Sequence, residues 1–143
     1  MTRFENRTLD KSINAVIIKA NELLVNNSPM MLEILHKNDF KYESGSGEEV
    51  FEKIVNCKKV APIFFYKPKW RFSKAIGYSQ NGAIYLNTYR FKNLSINELT
   101  ANLCHEFCHV SGLGHGNNYP SEDKNNFSVP YFVSSGILKG KWV

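Results

Sequence analysis

One long amphipathic helix is predicted over residues 93–112, and the other elements of the fold must pack around it. Ser95 and Glu98 form a capping box at its start, because each side chain can bond the backbone amide of the other residue. Gly112 is placed to end the helix. The apolar positions share one side of it: Ile96, Leu99, Leu103, Phe107 and Val110. The helix therefore offers one side to a core and leaves the opposite side for polar residues.

Three further helices are predicted upstream. Apolar residues recur with helical spacing over residues 8–25 and 48–55, and Ser28-Pro29 has the pattern of an N-cap followed by proline at the first helical position. The tail after the long helix shows no regular pattern, so we expect it to be irregular.

Two segments predict a sheet. Residues 60–66 are β-branched and aromatic, which favours a strand, and Asn81-Gly82 lies between two β-rich runs in residues 75–87. An Asn-Gly pair tolerates the positive φ angles of a type I′ turn, so these runs predict a hairpin. The expected fold class is α+β: a small, mostly antiparallel or mixed sheet packed on the long helix, in one domain spanning residues 1–143.

Composition excludes several classes of protein. A chain of 143 residues with 43% hydrophobic residues is too apolar to be disordered. No apolar run approaches the ~20 residues of a membrane helix. The polar start lacks the pattern of a signal peptide, so the cytoplasm is the default expectation.

The net charge of +5 is only a weak indication of nucleic-acid binding. The lysines and arginines are scattered along the chain, which is more typical of an ordinary solvated surface. Three cysteines without a CxxC pair read as reduced thiols.

The long helix carries the motif HExxH at residues 105–109. Residues four apart on a helix lie about 40° apart around its axis, so His105 and His109 share one side and can converge on one metal ion. Glu106 lies beside them and can reach a water at the metal without being a ligand. His115 completes HExxHxxGxxH if Gly112 lets the chain turn back. Three histidines leave a fourth position open, which is typical of a catalytic Zn²⁺ site.

The segment HEFCHVSGLGH, residues 105–115, resembles the extended zinc signature of the metzincin metallopeptidases. The resemblance implies that His105, His109 and His115 bind Zn²⁺ and that Glu106 is the general base for peptide-bond hydrolysis. It also implies a zincin-like fold in which an edge strand above the active-site helix binds extended peptide. We expect the strand at residues 83–91, or its hairpin partner, to take that role; a half-buried strand with aromatic packing is the alternative.

The chain departs from the family downstream of the third histidine. Metzincins carry a methionine there, whereas Met1, Met30 and Met31 all lie upstream. Residues 127–133, around Pro130, look nearest to the missing turn and are expected to form a tight turn. Tyr131 would then correspond to the tyrosine that some members place near the metal; a packing tyrosine is the alternative.

Three other functions compete with a zinc endopeptidase acting on peptide or protein. His115-Gly116 and the basic charge are similar to SprT-like zinc peptidases that act on DNA-linked proteins. A non-catalytic zinc-binding interaction domain, including one on nucleic acid, would need no carboxylate beside its first ligand. The third alternative is an amidase that uses the same water chemistry on a non-peptide bond.

Overall fold

The computed structural model describes residues 2–40, 45–114 and 128–142. Its four strands form one mixed sheet in the order β1-β2-β4-β3. In chain order they are β1 (Phe4–Asn6), β2 (Ala61–Tyr66), β3 (Gly77–Gln80) and β4 (Ala83–Asn87). Strands β1 and β4 both pair parallel with β2, and β3 pairs antiparallel with β4.

The α+β class and a mixed sheet are therefore confirmed, whereas the expectation of a mostly antiparallel sheet is wrong. Two features account for the difference. Strand β1 has only three residues, too few to show an alternating pattern. The chain also passes from β2 to the far edge as β3, and the hairpin then returns β4 between them, parallel to β2.

Six helices accompany the sheet in the described residues. They are α1 (Ile13–Leu23), α2 (Pro29–His36), α3 (Gly47–Val55), α4 (Thr88–Phe91), α5 (Ile96–Val110) and α6 (Val129–Leu138). The predicted caps of α2 and α5 are confirmed: Ser28 accepts the Met31 amide, and Ser95 and Glu98 form the capping box. None of these helices combines the length and apolarity that crossing a membrane requires.

Two helix predictions need correction. The helix predicted over residues 8–25 begins only at Ile13, and Leu9 is fully exposed, because side-chain bonds such as Thr8 N–H to Asn6 Oδ1 hold the preceding residues in turns. The tail predicted to be irregular forms helix α6 instead. Pro130 lies in its first turn, where the missing N–H interrupts no helical hydrogen bond.

One face of the sheet packs on helices α1 and α5, and this packing places the long helix against strand β3. The inward side chains of the central strands are buried, including Ile63, Ile84 and Leu86. Between β3 and β4, Asn81 and Gly82 both have positive φ angles, 52° and 80°, as a type I′ turn requires. The predicted hairpin is confirmed.

Lys141 and Trp142, at the end of the described chain, connect α6 to α2 through Glu33. The Trp142 indole N–H donates to a Glu33 carboxylate oxygen at 2.9 Å, and Lys141 forms an ion pair with the same carboxylate. Gly136 makes room for the Trp142 ring, since a Cβ at this position would lie 2.0 Å from a ring carbon. Helix α6 is thereby held where it packs on α5.

Candidate metal and active site

Helix α5 brings together three of the residues singled out in the sequence. The rings of His105 and His109 lie one turn apart with their centroids separated by 5.3 Å. A potential ligand atom from each of His105, Glu106 and His109 lies within 4.8 Å of the other two. His115, the third histidine of the motif, falls outside the described residues.

The C-terminal end of α5 fixes the orientation of His109. Gly112 has a φ of 92°, so the chain reverses there, and the amides of Gly112 and Leu113 bond the carbonyls of His109 and Cys108. The Leu113 carbonyl then lies 2.8 Å from His109 Nδ1. Because a carbonyl only accepts, Nδ1 carries the proton and Nε2 keeps a lone pair for a metal.

Helix α6 contributes the partner of His105. The Ser134 hydroxyl lies 3.3 Å from His105 Nδ1 and 3.5 Å from the Tyr131 carbonyl oxygen. When the hydroxyl donates to that carbonyl it accepts from Nδ1, and in this tautomer the ring lone pair is on Nε2. The Tyr131 ring packs against His105 with centroids 5.1 Å apart, so the candidate tyrosine does lie beside the motif.

Burial sets the charge states that this cluster prefers. Glu106 is only 5% exposed, and this burial raises the pKa of its carboxyl to about 7, although a hydrogen bond with Ser79 partly opposes the rise. Burial also lowers the pKa of His109, against the opposing effect of the Leu113 carbonyl. His109 is therefore held as the neutral imidazole that binds metals.

A cleft of about 410 Å³ opens beside these residues, between α5, α6 and the segment that leads into β3. Its walls combine apolar and polar side chains, including Ile76, Ala101, Leu138, Glu98, Lys74 and Tyr131. Both His105 and Glu106 line it. The cleft therefore gives a ligand access to His105 and Glu106.

Strand β3 borders this cleft with its free edge. The Asn87 amide bonds the Ile76 carbonyl at 2.8 Å, so in this register the N–H and C=O groups of Gly77 and Ser79 point away from β4. Strand β4 lies between β2 and β3 and has no free edge. Of the two strands proposed for peptide binding, only the hairpin partner, β3, is suitably placed.

Strand β3 also approaches α5 very closely. A Cβ at Gly77 would lie 2.8 Å from Asn102 Oδ1 and 2.6 Å from the Tyr85 carbonyl oxygen. Asn102 Oδ1 is buried and has no hydrogen-bond partner among the described residues. Two residues further along β3, Ser79 reaches Glu106, so strand and helix run side by side past the motif.

The donor set fits a divalent metal ion. It consists of two imidazoles, whose Nδ1 atoms lie near the Ser134 hydroxyl and the Leu113 carbonyl, and a buried carboxylate beside them. Cys104 and Cys108 are buried in the core and take no part in this set. The sequence did not identify three residues that contact this set: Ser79, Leu113 and Ser134. Only Leu113 had a local signal, because it follows the glycine that ends the helix.

No family model, no curated protein and no solved structure matches this chain. The resemblance to metzincins thus rests on the motif itself. Function has to be argued from the chemistry of the site rather than from relatives.

Proposed function

We propose that this protein is a zinc-dependent metallopeptidase. The observation that carries the proposal is the convergence of His105, Glu106 and His109, the first two of which line a cleft bordered by a free strand edge. His105 and His109 are the proposed ligands in the described part of the chain, and His115 is the proposed third ligand. A closed structural site would more often use four protein ligands and would need no cleft.

Glu106 is the proposed general base. A bound Zn²⁺ supplies Lewis-acid activation of water and of the scissile carbonyl. The Glu106 carboxylate accepts a proton from the attacking water and later delivers it to the leaving amine. A hydrogen bond with Ser79 holds this carboxyl in position.

The proposed substrate is an extended peptide that pairs with the free edge of β3. The outward N–H and C=O groups of Gly77 and Ser79 can form strand-like hydrogen bonds with it. This pairing would place the scissile bond beside Glu106, because Ser79 lies next to that carboxylate. Tyr131 is proposed to donate a hydrogen bond to the oxyanion that develops in the transition state.

The decisive experiment combines metal analysis with digestion of a peptide library. We expect about one zinc ion per chain in the wild type, in Glu106→Gln and in the control Glu22→Gln, whose carboxylate is exposed on α1. Cleavage should fall by about 10²–10⁴-fold in Glu106→Gln alone, the usual contribution of a general base. Tyr131→Phe should lower kcat and leave zinc content unchanged.

Three outcomes would contradict the proposal in different ways. Equal digestion by the wild type and Glu106→Gln would exclude the general-base mechanism. A zinc-loaded wild type that cleaves no peptide would favour the non-catalytic interaction domain or the amidase. A chain without stoichiometric metal would refute the site itself.

A further inference from the structure

The charges of this chain are strongly segregated. Residues 53–97 contain nine lysines and arginines but no aspartate or glutamate, although an even spread would place about four of the 13 acidic residues there. The nine are Lys53, Lys58, Lys59, Lys67, Lys69, Arg71, Lys74, Arg90 and Lys92. This segment includes β2, β3 and β4, so most of the sheet belongs to a purely basic part of the chain.

Aromatic side chains cover the outward face of the same strands. The rings of Tyr78, Tyr85 and Phe64 stack in sequence across β3, β4 and β2, with centroid separations of 4.9 and 5.6 Å. Tyr66 contacts Tyr78 edge-on at 4.9 Å. Tyr78, on the edge strand, is 39% exposed, so the stack ends at a ring that solvent reaches.

The loop of residues 67–76, which joins β2 to β3, adds exposed rings and positive charge. Trp70 and Phe72 are 66% and 73% exposed; Lys69 and Arg71 alternate with them, and Lys67 lies two residues before Lys69. The Arg71 guanidinium lies over the Tyr89 ring at 5.7 Å. Exposed rings of this size contribute little to a core and are typical of a binding surface.

We propose that this surface binds single-stranded nucleic acid. The aromatic-basic face is defined by Tyr66, Lys67, Lys69, Trp70, Arg71, Phe72, Tyr78 and Tyr89. Its cations can neutralise phosphates, while its exposed rings can stack on bases that are not paired. The one acidic side chain on the outward side of a described strand, Glu5 on the far edge strand β1, is paired with Arg7 at 2.9 Å.

Single strands fit this surface better than duplexes do. Bases in a duplex are already stacked on each other and offer no free ring face, so a duplex would use the cations but not Trp70 or Phe72. A polyanion without bases would likewise engage charge alone. Stacking on Trp70 therefore separates the proposed ligand from other anionic ones.

Tryptophan fluorescence provides a direct test, because the chain has two tryptophans in different environments. Trp70 is exposed on the face, whereas Trp142 is 8% exposed and bonded to Glu33. Titration of the full chain with a 20-residue oligothymidylate should quench the emission of Trp70. In Trp70→Phe the remaining Trp142 emission should not respond. Glu106→Gln should bind as the wild type does, so the result is independent of the proposed peptidase activity.

Affinity measurements with a labelled oligothymidylate separate stacking from charge. Trp70→Ala should raise Kd by about 5- to 150-fold, the effect of losing one base–aromatic stack, whereas the control Leu9→Ala, exposed elsewhere, should leave it unchanged. Lys69→Gln with Arg71→Gln should lower the slope of log Kd against log salt by about 1.4, at roughly 0.7 per lost single-strand phosphate contact. The charge-matched control Lys11→Gln with Lys139→Gln should leave the slope unchanged.

Several results would overturn the proposal. An absence of Trp70 quenching, or an unchanged Kd in Trp70→Ala, would exclude base stacking. If heparin or a duplex of the same length bound as tightly as the oligothymidylate, the aromatic-basic face would be a general anion-binding surface. Tighter binding to vesicles of phosphatidylserine and phosphatidylcholine than to the oligonucleotide would indicate a membrane surface instead.

Discussion

The two histidines of α5 owe their orientation to different parts of the chain. The Leu113 carbonyl holds His109, because the turn at Gly112 brings the chain back toward the end of α5. His105 depends on Ser134, which belongs to α6 and lies 29 residues away. The Nδ1 partner of His105 is therefore supplied by a second helix, whereas that of His109 is supplied locally.

This difference makes Ser134 a positioning residue for the proposed zinc ligand His105. We expect Ser134→Ala to weaken zinc binding by about tenfold, because loss of such a partner releases the ring and its tautomer. Ser134→Thr, which keeps the hydroxyl, should restore most of the affinity. Competition with a zinc chelator measures the effect, and urea unfolding of the metal-free protein serves as the control for folding. Equal affinity in Ser134→Ala and the wild type would contradict the assigned role.

At the scale of single residues, the sequence was sufficient to predict the features that depend on local geometry. The helical period is enough to place His105 and His109 on one side of α5, and Gly112 is recognisable as the residue that ends it. Ser134 could not be found, because no spacing rule relates residues on two helices that meet only through packing. For the same reason Ser79, from the hairpin, was not expected beside Glu106.

At the scale of elements, the site depends on the close contact between β3 and α5. Gly77 faces Asn102 and Ser79 faces Glu106. Two residues of a strand span about 6.6 Å and four residues of a helix span about 6 Å. The Gly77–Ser79 spacing on β3 therefore matches the Asn102–Glu106 spacing on α5. Glycine at position 77 leaves room for the Asn102 side chain of α5 against the strand.

A side chain at Gly77 should push the two elements apart. In Gly77→Ala the new Cβ would lie within 3 Å of the Tyr85 carbonyl and of Asn102 Oδ1. We expect a loss of about 1–3 kcal/mol in the free energy of unfolding, the usual effect of overpacking, with reduced cleavage by the folded fraction. Gln80→Ala, an exposed change on the same strand, should shift stability by less than about 0.5 kcal/mol. Urea titration distinguishes the two, and a wild-type stability for Gly77→Ala would refute the close contact.

Elements were predictable where their signals are local. The Asn81-Gly82 turn and the capping box of α5 each lie within four residues, and both were predicted correctly. Strand β1 and the parallel pairings involve partners more than 20 residues apart, so no local pattern reports them. Helix α6 was missed because the Pro130 signal was interpreted as a turn rather than as a first helical turn.

At the scale of the whole molecule, the burial of Glu106 couples the proposed general base to global stability. Ionisation of this carboxyl is opposed by its burial, with a folded-state pKa of about 7 against an ordinary value of 4.5. Between these values the native chain holds a proton that the unfolded chain has released. The contribution of Glu106 to stability is therefore fully present below pH 4.5 and is lost as the pH rises to about 7.

The metal-free protein should show this dependence directly. Relative to Glu106→Gln, the wild type should lose roughly 2–3 kcal/mol of unfolding free energy between pH 4.5 and pH 8, from a pKa shift at about 1.4 kcal/mol per unit. Urea titrations of both chains in chelator, at four pH values, measure the difference. Glu22→Gln should follow the wild type, since its carboxylate is exposed. Parallel curves for the wild type and Glu106→Gln would contradict the raised pKa.

The loop of residues 67–76 belongs to two surfaces at once. Its early residues, Trp70 to Phe72, lie on the aromatic-basic face, whereas Lys74 and Ile76 line the cleft. The Arg90 guanidinium donates to the Lys74 carbonyl of this loop at 2.9 Å. An oligonucleotide that shifts this loop would change the affinity for peptide, and thermodynamic reciprocity requires bound peptide to change the oligonucleotide's affinity by the same factor.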